Sequence, residues 1–426
     1  MNQIPRLTVA IGVLAVTFSA SAQEWSRFRG PNGTGISEAK IIPVKISETD
    51  INWKIELPGS GHSSPVLWGE RVFLTATDGA KGGISVLCFD AKTGKQLWKS
   101  EHTLPTSHRH KFNSYASSTP AVDKDKVYVL WDDPEHFVLT ALDHQGKKVW
   151  QRDLGTYVSQ HGCGGSPIVL DGKVIVCNEQ ENKEQAKSAA DGVSSLVAVD
   201  AKTGEIAWQT SRTTETAAYS TPAVYTPKGG KAQLVFNSQA HGISGVDPAT
   251  GKVLWQYEKA FDKRSCSSPL IAGDLILGSC GSGGGGNYVV AVRPGQPDKR
   301  TDAELVYEMK KSAPYVPTGI VKDGFVWLWS DGGILTCLRA STGEVRYQER
   351  VGGNFFGSPV WVDGRLYCIS TAGELVVVEA SDKFNVLHRF ALKELCHTTP
   401  AVAGGRMFIR TEKHLLSIGG RPLAVR

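Results

Sequence analysis

Apolar and polar residues alternate along most of this chain in short runs, which are separated by turns that contain Gly or Asp. Residues 119–131 and 358–370 show the pattern plainly, since each has a strand-like run, a turn and a second strand-like run. An alternation with a period of two predicts β-strands that bury one face. Asp171-Gly172 and Asp363-Gly364 favour tight hairpin turns, because Gly accepts a positive φ. The pattern therefore predicts an all-β chain built from consecutive hairpins.

One half-repeat opens with Ser or Thr and continues with Pro and an apolar strand. Its copies begin at Ser64, Thr119, Ser166, Thr221, Ser268, Thr318, Ser358 and Thr399. Thr318 is followed by Gly319, where the other seven copies have Pro. Neighbouring copies start 40 to 55 residues apart. A self-similar period of this length is typical of the four-stranded blades of a propeller.

A second half-repeat, of the form A-x-D-x-x-T-G-x-x-x-W or a degraded version of it, follows every copy of the first except the last. Residues 198–208 and 245–255 show it clearly. Its Asp is expected to bond the turn backbone, and its Gly to take the left-handed conformation. The terminal aromatic residue is expected to pack on the next blade. These aromatic ends fall at Trp53, Trp98, Trp150, Trp208, Trp255, Tyr307 and Tyr347, with a degraded copy near His388.

The first and last half-repeats complete each other. The strand at Trp53 has no repeat before it, and the repeat that begins at Thr399 has no aromatic strand after it. We therefore expect residues 51–57 to be the outer strand of the last blade, which closes the ring and hides the long sheet edges. The predicted fold is an eight-bladed β-propeller of four-stranded blades over residues 51–420.

The two half-motifs resemble the repeats of pyrroloquinoline-quinone (PQQ) propellers, the quinoprotein alcohol dehydrogenase-like superfamily that also includes BamB-like outer-membrane assembly factors. The resemblance extends from residue 51 to about residue 420. It implies the propeller fold for nearly all of the chain. It implies no single function, because the superfamily contains both enzymes and binding scaffolds.

The first 22 residues have the pattern of a signal peptide. Arg6 precedes an apolar run over residues 7–18, and Ala20-Ser21-Ala22 is an A-x-A cleavage site. We therefore expect a periplasmic or extracellular protein that begins at Gln23, with an extension over residues 23–50 and a tail over residues 421–426. No Cys follows the apolar run and no later run is long enough to span a bilayer, so neither a lipid anchor nor a transmembrane segment is expected.

Composition and charge limit the classes of molecule that the protein is expected to bind. Hydrophobic residues make up 41% and charged residues 21% of the chain, which argues against global disorder. The formal net charge of +5 is too small to indicate nucleic acid as a partner. A monomer is expected.

Eight cysteines in an exported chain permit disulfides. Cys88 and Cys337 stand where other repeats carry Ala, so they are predicted to be small core residues. The pairs Cys163/Cys177 and Cys266/Cys280 share a spacing of fourteen residues. Spacing does not determine connectivity, and the pairing of the eight cysteines stays open.

The loops that enter the inner strands form one face around the channel of such a propeller, and that face is the default ligand site. The candidate channel-entrance residues are His62, Tyr115, His161, Tyr219, Arg264 and His397, and the equivalent loops also contain Cys163, Cys266, Tyr315 and Phe356. His62 and His397 occupy matching positions in the first and last blades, so ring closure makes them neighbours. Both a shared role and a simple exposure to channel water remain open for this pair.

The loop before Tyr115 is the most basic of the entering loops. It contains His108, Arg109, His110 and Lys111, which are candidate contacts for an anion or an acidic partner. The alternative is a solvated loop without a ligand. His108 and His110 have no evident third ligand in the sequence, so no metal site is predicted.

Three further segments have structural interpretations. Residues 281–287 are rich in Gly but lack the G-K-[ST] ending of a phosphate loop, and a tight loop between strands is expected. Trp25 and Phe28 are expected to pack on the ring. A set of acidic residues in the outer loops is expected to form an acidic rim: Asp78, Asp132, Asp133, Glu135 and Glu179.

Two functional classes follow from the resemblance. A quinoprotein dehydrogenase would imply a carboxylate base, Ca²⁺ bound by carboxylate and amide oxygens, and a disulfide between adjacent cysteines over the quinone. This sequence has no adjacent cysteines, and Ca²⁺ prefers several anionic oxygens over the His, Tyr, Ser, Arg and Cys of these loops. We therefore expect a non-catalytic binding or assembly scaffold without a cofactor, which binds a protein partner or a small ligand at the channel entrance. A dehydrogenase of alcohols or sugars that uses PQQ and Ca²⁺ is the alternative, and other enzymes stay open.

Overall fold

The computed structural model describes residues 24–78, 83–103, 105, 110–133, 135–182, 192–296 and 301–420. The predicted signal peptide and the predicted tail over residues 421–426 lie outside the described residues, so both stay predictions. Within the described part, no helix is long and apolar enough to cross a membrane.

Eight antiparallel sheets form a ring, which confirms the predicted eight-bladed propeller. Each blade has four antiparallel strands ordered from the channel outwards, and the sheet of blade 7 has a fifth, parallel strand from the N-terminal segment. The strands of blades 1 to 4 are Val66–Trp68, Arg71–Ala76, Gly83–Asp90 and Gln96–Thr103; Ala121–Val122, Lys126–Asp132, Phe137–Asp143 and Lys148–Asp153; Ile168–Leu170, Lys173–Asn178, Ser195–Asp200 and Ile206–Ser211; and Ala223–Tyr225, Gln233–Ser238, Gly242–Val246 and Val253–Tyr257.

The remaining blades follow the same order, and the described residues also include three short 3₁₀ helices. The strands of blades 5 to 8 are Leu270–Ala272, Leu275–Cys280, Tyr288–Arg293 and Glu304–Met309; Ile320–Lys322, Phe325–Trp329, Ile334–Arg339 and Val345–Arg350; Val360–Val362, Arg365–Ile369, Glu374–Glu379 and Val386–Ala391; and Ala401–Ala403, Arg406–Arg410, His414–Gly419 and Ile51–Glu56. The 3₁₀ helices are Pro31–Gly33, Glu48–Asp50 and Glu258–Ala260.

Blade 8 is built from both ends of the repeat region. Ile51–Glu56 pairs antiparallel with His414–Gly419, as the orphan strand at Trp53 predicted. Trp53 itself lies opposite Ser417 in this ladder. The degraded copy at His388 is also a fourth strand, because His388 pairs with Val377 in blade 7.

The Ser or Thr that opens each blade joins it to the next one. At seven blade junctions, the backbone N–H of this residue donates to the hydroxyl of its counterpart in the following blade, over 2.9–3.2 Å. All eight of these residues are buried. A buried N–H without an acceptor is costly, so the side-chain hydroxyl explains why this position carries Ser or Thr.

In five blades the aromatic residue of the outer strand docks on a Gly-containing turn of the neighbouring blade: Trp53, Trp98, Trp150, Trp208 and Tyr307. The indole N–H of Trp208 donates to the carbonyl of Pro248 over 3.0 Å. A Cβ at Gly251, whose φ is 74°, would lie 2.5 Å from the Trp208 ring. This turn therefore needs Gly both for its left-handed backbone and for the close approach of the indole. Trp255 differs, because its N–H donates to Gln233 of its own blade.

The segment that precedes the ring crosses the channel. Trp25 pairs with Leu67 of blade 1, and Ile36–Ser37 adds a parallel fifth strand to blade 7. Between them, the Arg29 guanidinium donates to five backbone carbonyls, among them those of Thr318 and Pro359. Residues 24–37 thus contact inner strands around the ring and close the channel on one side.

The eight cysteines are free thiols in the structure. Cys88 and Cys337 are fully buried in the blades, as expected for small core residues. The spacing of fourteen residues in Cys163/Cys177 and Cys266/Cys280 reflects equivalent positions on two hairpins.

Candidate functional site

A cavity of about 1170 Å³ occupies the channel at the face formed by the entering loops. Its wall includes hydroxyl-bearing residues of the inner junctions, such as Ser64, Thr119 and Ser358. Phe28 also lines it, and the neighbouring residues Arg27 and Arg29 are buried in contact with inner-strand carbonyls. The N-terminal segment is therefore the floor of the cavity, and the entering loops are its mouth.

Seven aromatic or imidazole rings line one side of this cavity and contact one another in series. The six contacts have centroid distances between 4.5 and 5.9 Å. In order, the rings are Tyr219, His161, His110, Phe112, Phe356, His397 and His62. Mixed edge-to-face and tilted contacts of this length are the favourable geometries for such rings. We call this set the aromatic arc.

His62 and His397 form one end of the aromatic arc. Their ring centroids are 4.8 Å apart at 69°, so one imidazole meets the face of the other. Burial, together with His397 and Arg410, lowers the pKa of His62 from its ordinary 6.5 to about 3. Burial also lowers the pKa of His397. Both imidazoles are consequently neutral at neutral pH and act as hydrogen-bonding and apolar surface.

Next to the Tyr219 end of the aromatic arc, the cavity wall contains two consecutive cations, Lys263 and Arg264. The Arg264 guanidinium is bonded to the buried carboxylate of Glu181 and lies 5.5 Å from the centroid of the Tyr219 ring. Burial acts to lower the pKa of Arg264, but Tyr219, Tyr315 and Glu181 raise it above its ordinary value. Arg264 is therefore a permanent, well-oriented charge at the cavity wall.

Asp331 is the carboxylate that lines the cavity. Its two oxygens accept the backbone N–H groups of Tyr315 at 2.7 Å and Val316 at 3.1 Å. Burial raises its pKa, although these amides act in the opposite direction. Burial also raises the pKa of the nearby Cys266 thiol to about 12, so this cysteine is no thiolate nucleophile at neutral pH.

Comparison with known proteins identifies a family that has the same repeats. The family described as outer membrane protein assembly factor BamB matches residues 34–181, 84–349 and 287–383. The chain belongs to this BamB-like family of PQQ-repeat propellers. The matched segments together include both the cavity mouth and most of the ring.

Curated relatives of this BamB-like propeller are dehydrogenases by name. A polyvinylalcohol dehydrogenase of a Pseudomonas species is 26% identical over 191 residues, which is 42% of this chain and 28% of the relative. The quinohemoprotein alcohol dehydrogenase ADH IIB of Pseudomonas putida is 27% identical over 220 residues, which is 48% of this chain and 29% of the relative. The matches span less than a third of the relatives' own length.

Two solved structures show the same fold at low identity. BamB from Moraxella catarrhalis superposes with a TM-score of 0.62 at 13% identity, covering 88% of this chain and 98% of that one. The quinohemoprotein alcohol dehydrogenase ADHIIG from Pseudomonas putida HK5 gives a TM-score of 0.61 at 14% identity, covering 95% and 81%. Identities this low establish the propeller and leave the chemistry of the site to its residues.

Most of the channel-entrance residues expected from the sequence of this BamB-like propeller line the cavity: His62, His161, Tyr219, Arg264, His397, Cys266, Tyr315 and Phe356. Tyr115 does not, because its ring packs against the core between blades 1 and 2. Cys163 is buried in the core between blades 2 and 3. The entering loops turn differently, so equivalent positions in the repeat do not all face the channel.

The basic loop is divided between the cavity and the surface. His110 lines the cavity within the aromatic arc, whereas the Lys111 ammonium lies over the Phe112 ring at 5.0 Å from its centroid. His108 and Arg109 lie outside the described residues.

The expected acidic rim is wrong for three of its five residues, which are buried and have partners. The carboxylate of Asp132 accepts the N–H of Cys163 at 3.0 Å, and Asp133 bonds His136 at 3.1 Å. Glu179 pairs with the buried Arg212 at 3.0 Å. Since buried carboxylates need such partners, these side chains turn into the loops that they stabilise. Asp78 and Glu135 are exposed.

Several residues of the site were not singled out from the sequence. Phe112 and Asn113 reach the cavity from the basic loop, Asp331 comes from a loop that follows a second strand, and Glu181 belongs to the insertion after residue 178. The first residues of the loop after Asn178 are buried, and Glu181 among them pairs with Arg264. The Gly-rich loop at 281–287 also lines the cavity.

Proposed function

We propose that the protein is an exported, monomeric binding scaffold that takes a small ligand or a segment of a protein partner in the cavity at the channel mouth. The observation that carries this proposal is the cavity itself, which is floored by the N-terminal segment and lined by the aromatic arc. A large concave site with flat apolar surfaces and a few fixed polar groups is the usual form of a ligand site.

Family membership supports a scaffold. The matching family is described as an outer membrane protein assembly factor, and the matched residues reach nearly from end to end of the ring. That description favours binding of a protein partner and a location outside the cytoplasm, in agreement with the signal-peptide pattern. Nucleic acid is not an expected partner.

The second candidate, a PQQ-dependent dehydrogenase of alcohols or sugars, is favoured by the names of the curated relatives. Its Ca²⁺ would need several oxygen ligands in one place. The two oxygens of Asp331 are already hydrogen-bonded by backbone amides, and Glu181 is paired with Arg264. Among the described residues, no group of three or more His, Cys, Asp or Glu side chains is placed to bind a metal. This donor set does not fit Ca²⁺.

The two candidates are separated by reconstitution. Protein purified without cofactor is incubated with PQQ and Ca²⁺, and dye reduction is followed with a panel of alcohols and sugars. The scaffold proposal predicts no saturable turnover and a folded protein with or without the additions. Turnover that is saturable and abolished by His62→Ala or Arg264→Gln would instead establish the dehydrogenase.

The scaffold itself is tested on protein purified from its own host by native mass spectrometry. A bound mass, or a stoichiometric partner in the same complex, is expected for the wild type and is expected to be lost in Phe356→Ala. An empty, partnerless protein whose cavity takes no ligand from a host extract would contradict the proposal.

A further inference from the structure

The charged residues that line the cavity are unevenly distributed. In the described part of the wall there are two cations, Lys263 and Arg264, and one carboxylate, Asp331. The four imidazoles of the wall include His62 and His397, which burial holds in the neutral form. The lining residues alone therefore have more positive than negative groups, although Arg264 is also paired with the buried Glu181 behind the wall.

The floor adds two buried cations. Arg27 and Arg29 flank Phe28, the floor residue, and they are 7% and 0% exposed. The hydrogen-bond acceptors of both guanidinium groups are backbone carbonyls, such as those of Pro222 and Thr318. Burial lowers the pKa of each to about 9, still high enough to keep both charged at neutral pH.

A third buried cation stands behind His62. Arg410 is fully buried, and its Nη1 donates to Ser63 and to the carbonyl of Thr75. Its Nε and Nη2 have no hydrogen-bond partner. Burial lowers its pKa to about 9, and its charge contributes to the lowered pKa of His62.

Buried charges in proteins are normally compensated by an opposite charge or a metal, because their desolvation is otherwise costly. Three guanidinium groups around this cavity have neutral carbonyl acceptors. Arg27 and Arg29 flank Phe28, and Arg410 lies close enough to His62 to lower its pKa, so these positive charges stand next to residues that line the cavity and raise the electrostatic potential there. A ligand that brings negative charge would supply the missing compensation.

We infer that the ligand of this cavity carries two or more oxyanion groups, carboxylate or phosphate, which lie against Lys263 and Arg264 while its less polar part lies on the aromatic arc. This inference rests on the proposed function, since it names the chemical class of what the cavity binds. It places anion contacts at Lys263 and Arg264, in the loop that enters blade 5, in addition to the candidates predicted in the basic loop before Tyr115.

The geometry of Arg264 supports this assignment. Its Nη2 is taken by Glu181, whereas its Nε is buried without a hydrogen-bond partner. Glu181 and the Tyr219 ring hold the guanidinium in place, so an incoming oxyanion meets an already oriented positive charge at the cavity wall. Lys263 is half-buried and donates to the carbonyl of Gly286, a neutral acceptor that leaves its charge for a ligand.

The test uses full-length mature protein and four probes in calorimetric titrations: tri-glutamate, fructose bisphosphate, maltotriose and tri-lysine. We expect the two anions to bind, with an affinity that falls as ionic strength rises, and the neutral and cationic probes not to compete. Lys263→Glu should weaken anion binding by about tenfold or more. The matched control Lys124→Glu changes the same charge at an exposed turn of blade 2 and should leave the affinity unchanged.

A second variant guards against misfolding. Because Arg264→Gln alone leaves Glu181 buried without its partner, the double variant Glu181→Gln/Arg264→Gln removes both charges together. It should fold, as judged by its melting temperature, and should weaken binding of both anions. Tri-glutamate binding alone would point to a carboxylate ligand, and fructose bisphosphate binding alone to a phosphate ligand.

Maltotriose or tri-lysine binding as tightly as the anions would overturn the inference, as would an unchanged affinity in Lys263→Glu. The absence of anion binding up to about 10 mM would do the same, since that corresponds to less than about 3 kcal/mol of binding free energy. If the protein binds a neutral ligand and loses it in Phe356→Ala, the proposed function stands and the inference of an anionic ligand is refuted. An empty and partnerless protein from the host would refute the proposed function itself.

Discussion

The backbone N–H of Thr399 donates to the hydroxyl of Ser64 over 3.1 Å, although 335 residues separate the two along the chain. This bond is the link between blade 8 and blade 1 in the inner ring of Ser and Thr hydroxyls. Ser64→Ala should therefore leave a buried N–H without an acceptor and lower the free energy of unfolding by about 1–3 kcal/mol. Ser64→Thr is the matched control, because Thr fills the same position in four other blades. Equal midpoints of urea unfolding for Ser64→Ala and the wild type would contradict the role of this link.

Replacing Trp208 by Ala should be among the most damaging single changes in the ring. Trp208 is 8% exposed, bonds the carbonyl of Pro248 and packs on Gly251 of the next blade. We expect a loss of roughly 3–5 kcal/mol in unfolding free energy, measured by chemical denaturation. Leu97→Ala, at an exposed position of an outer strand, is the control and should change stability little. A melting curve for Trp208→Ala that matches the wild type would argue against interblade docking.

Arg29 should not tolerate replacement by Lys. Its guanidinium donates to five carbonyls, and a Lys ammonium has only three donors on a flexible stem. Since hydrogen bonds to charged groups are worth about 1.5–3 kcal/mol each, Arg29→Lys should cost about 3 kcal/mol or more. Limited proteolysis should then cut the N-terminal segment faster than in the wild type. The exposed Lys40→Arg variant serves as the control, and equal cleavage rates would refute the anchoring role.

Acidification should destabilise the ring through His62. The folded pKa of about 3 lies below the ordinary 6.5, so the unfolded chain binds more protons between these values and stability falls as the pH falls through this window. His62→Phe keeps a ring beside His397 but does not titrate. It should lose less stability than the wild type between pH 7 and pH 4, as measured by denaturant midpoints. An identical pH dependence in both proteins would show that His62 does not contribute.

The repeat could be predicted from the sequence because equivalent positions of the blades have the same structural requirements and therefore similar residues. A Ser or Thr hydroxyl opens every blade, a Gly lies under the docked aromatic ring in five blades, and the orphan strand at Trp53 completes the blade that begins at Thr399. Each of these is a local pattern that recurs, so its copies reinforce one another. Even the weak copy at His388 is recognisable by its register.

The site could be predicted only in part, since its residues lie in loops that do not repeat. Position within the blade identified His62, His397 and Arg264, which are close to the inner strands. It did not distinguish Tyr115, which packs into the core, from Phe112, which crosses to Phe356. Glu181 comes from a loop of blade 3, and only the folded ring brings it to Arg264. Asp331 follows the second strand of blade 6 and bonds the N–H of Tyr315 in the loop that enters the same blade.

The composition of blade 8 has a consequence for the order in which the molecule forms. Its outer strand, Ile51–Glu56, is synthesised before blade 1, while its partner His414–Gly419 is synthesised after all the other blades. The N-terminal segment that forms the floor of the cavity contacts blades 1 and 7, so it cannot make all of its contacts until blade 7 has been synthesised. Contacts of such long sequence separation form slowly. We therefore expect the N-terminal segment and the strand Ile51–Glu56 to dock only after blade 8 has been synthesised, so that the cavity forms late in folding.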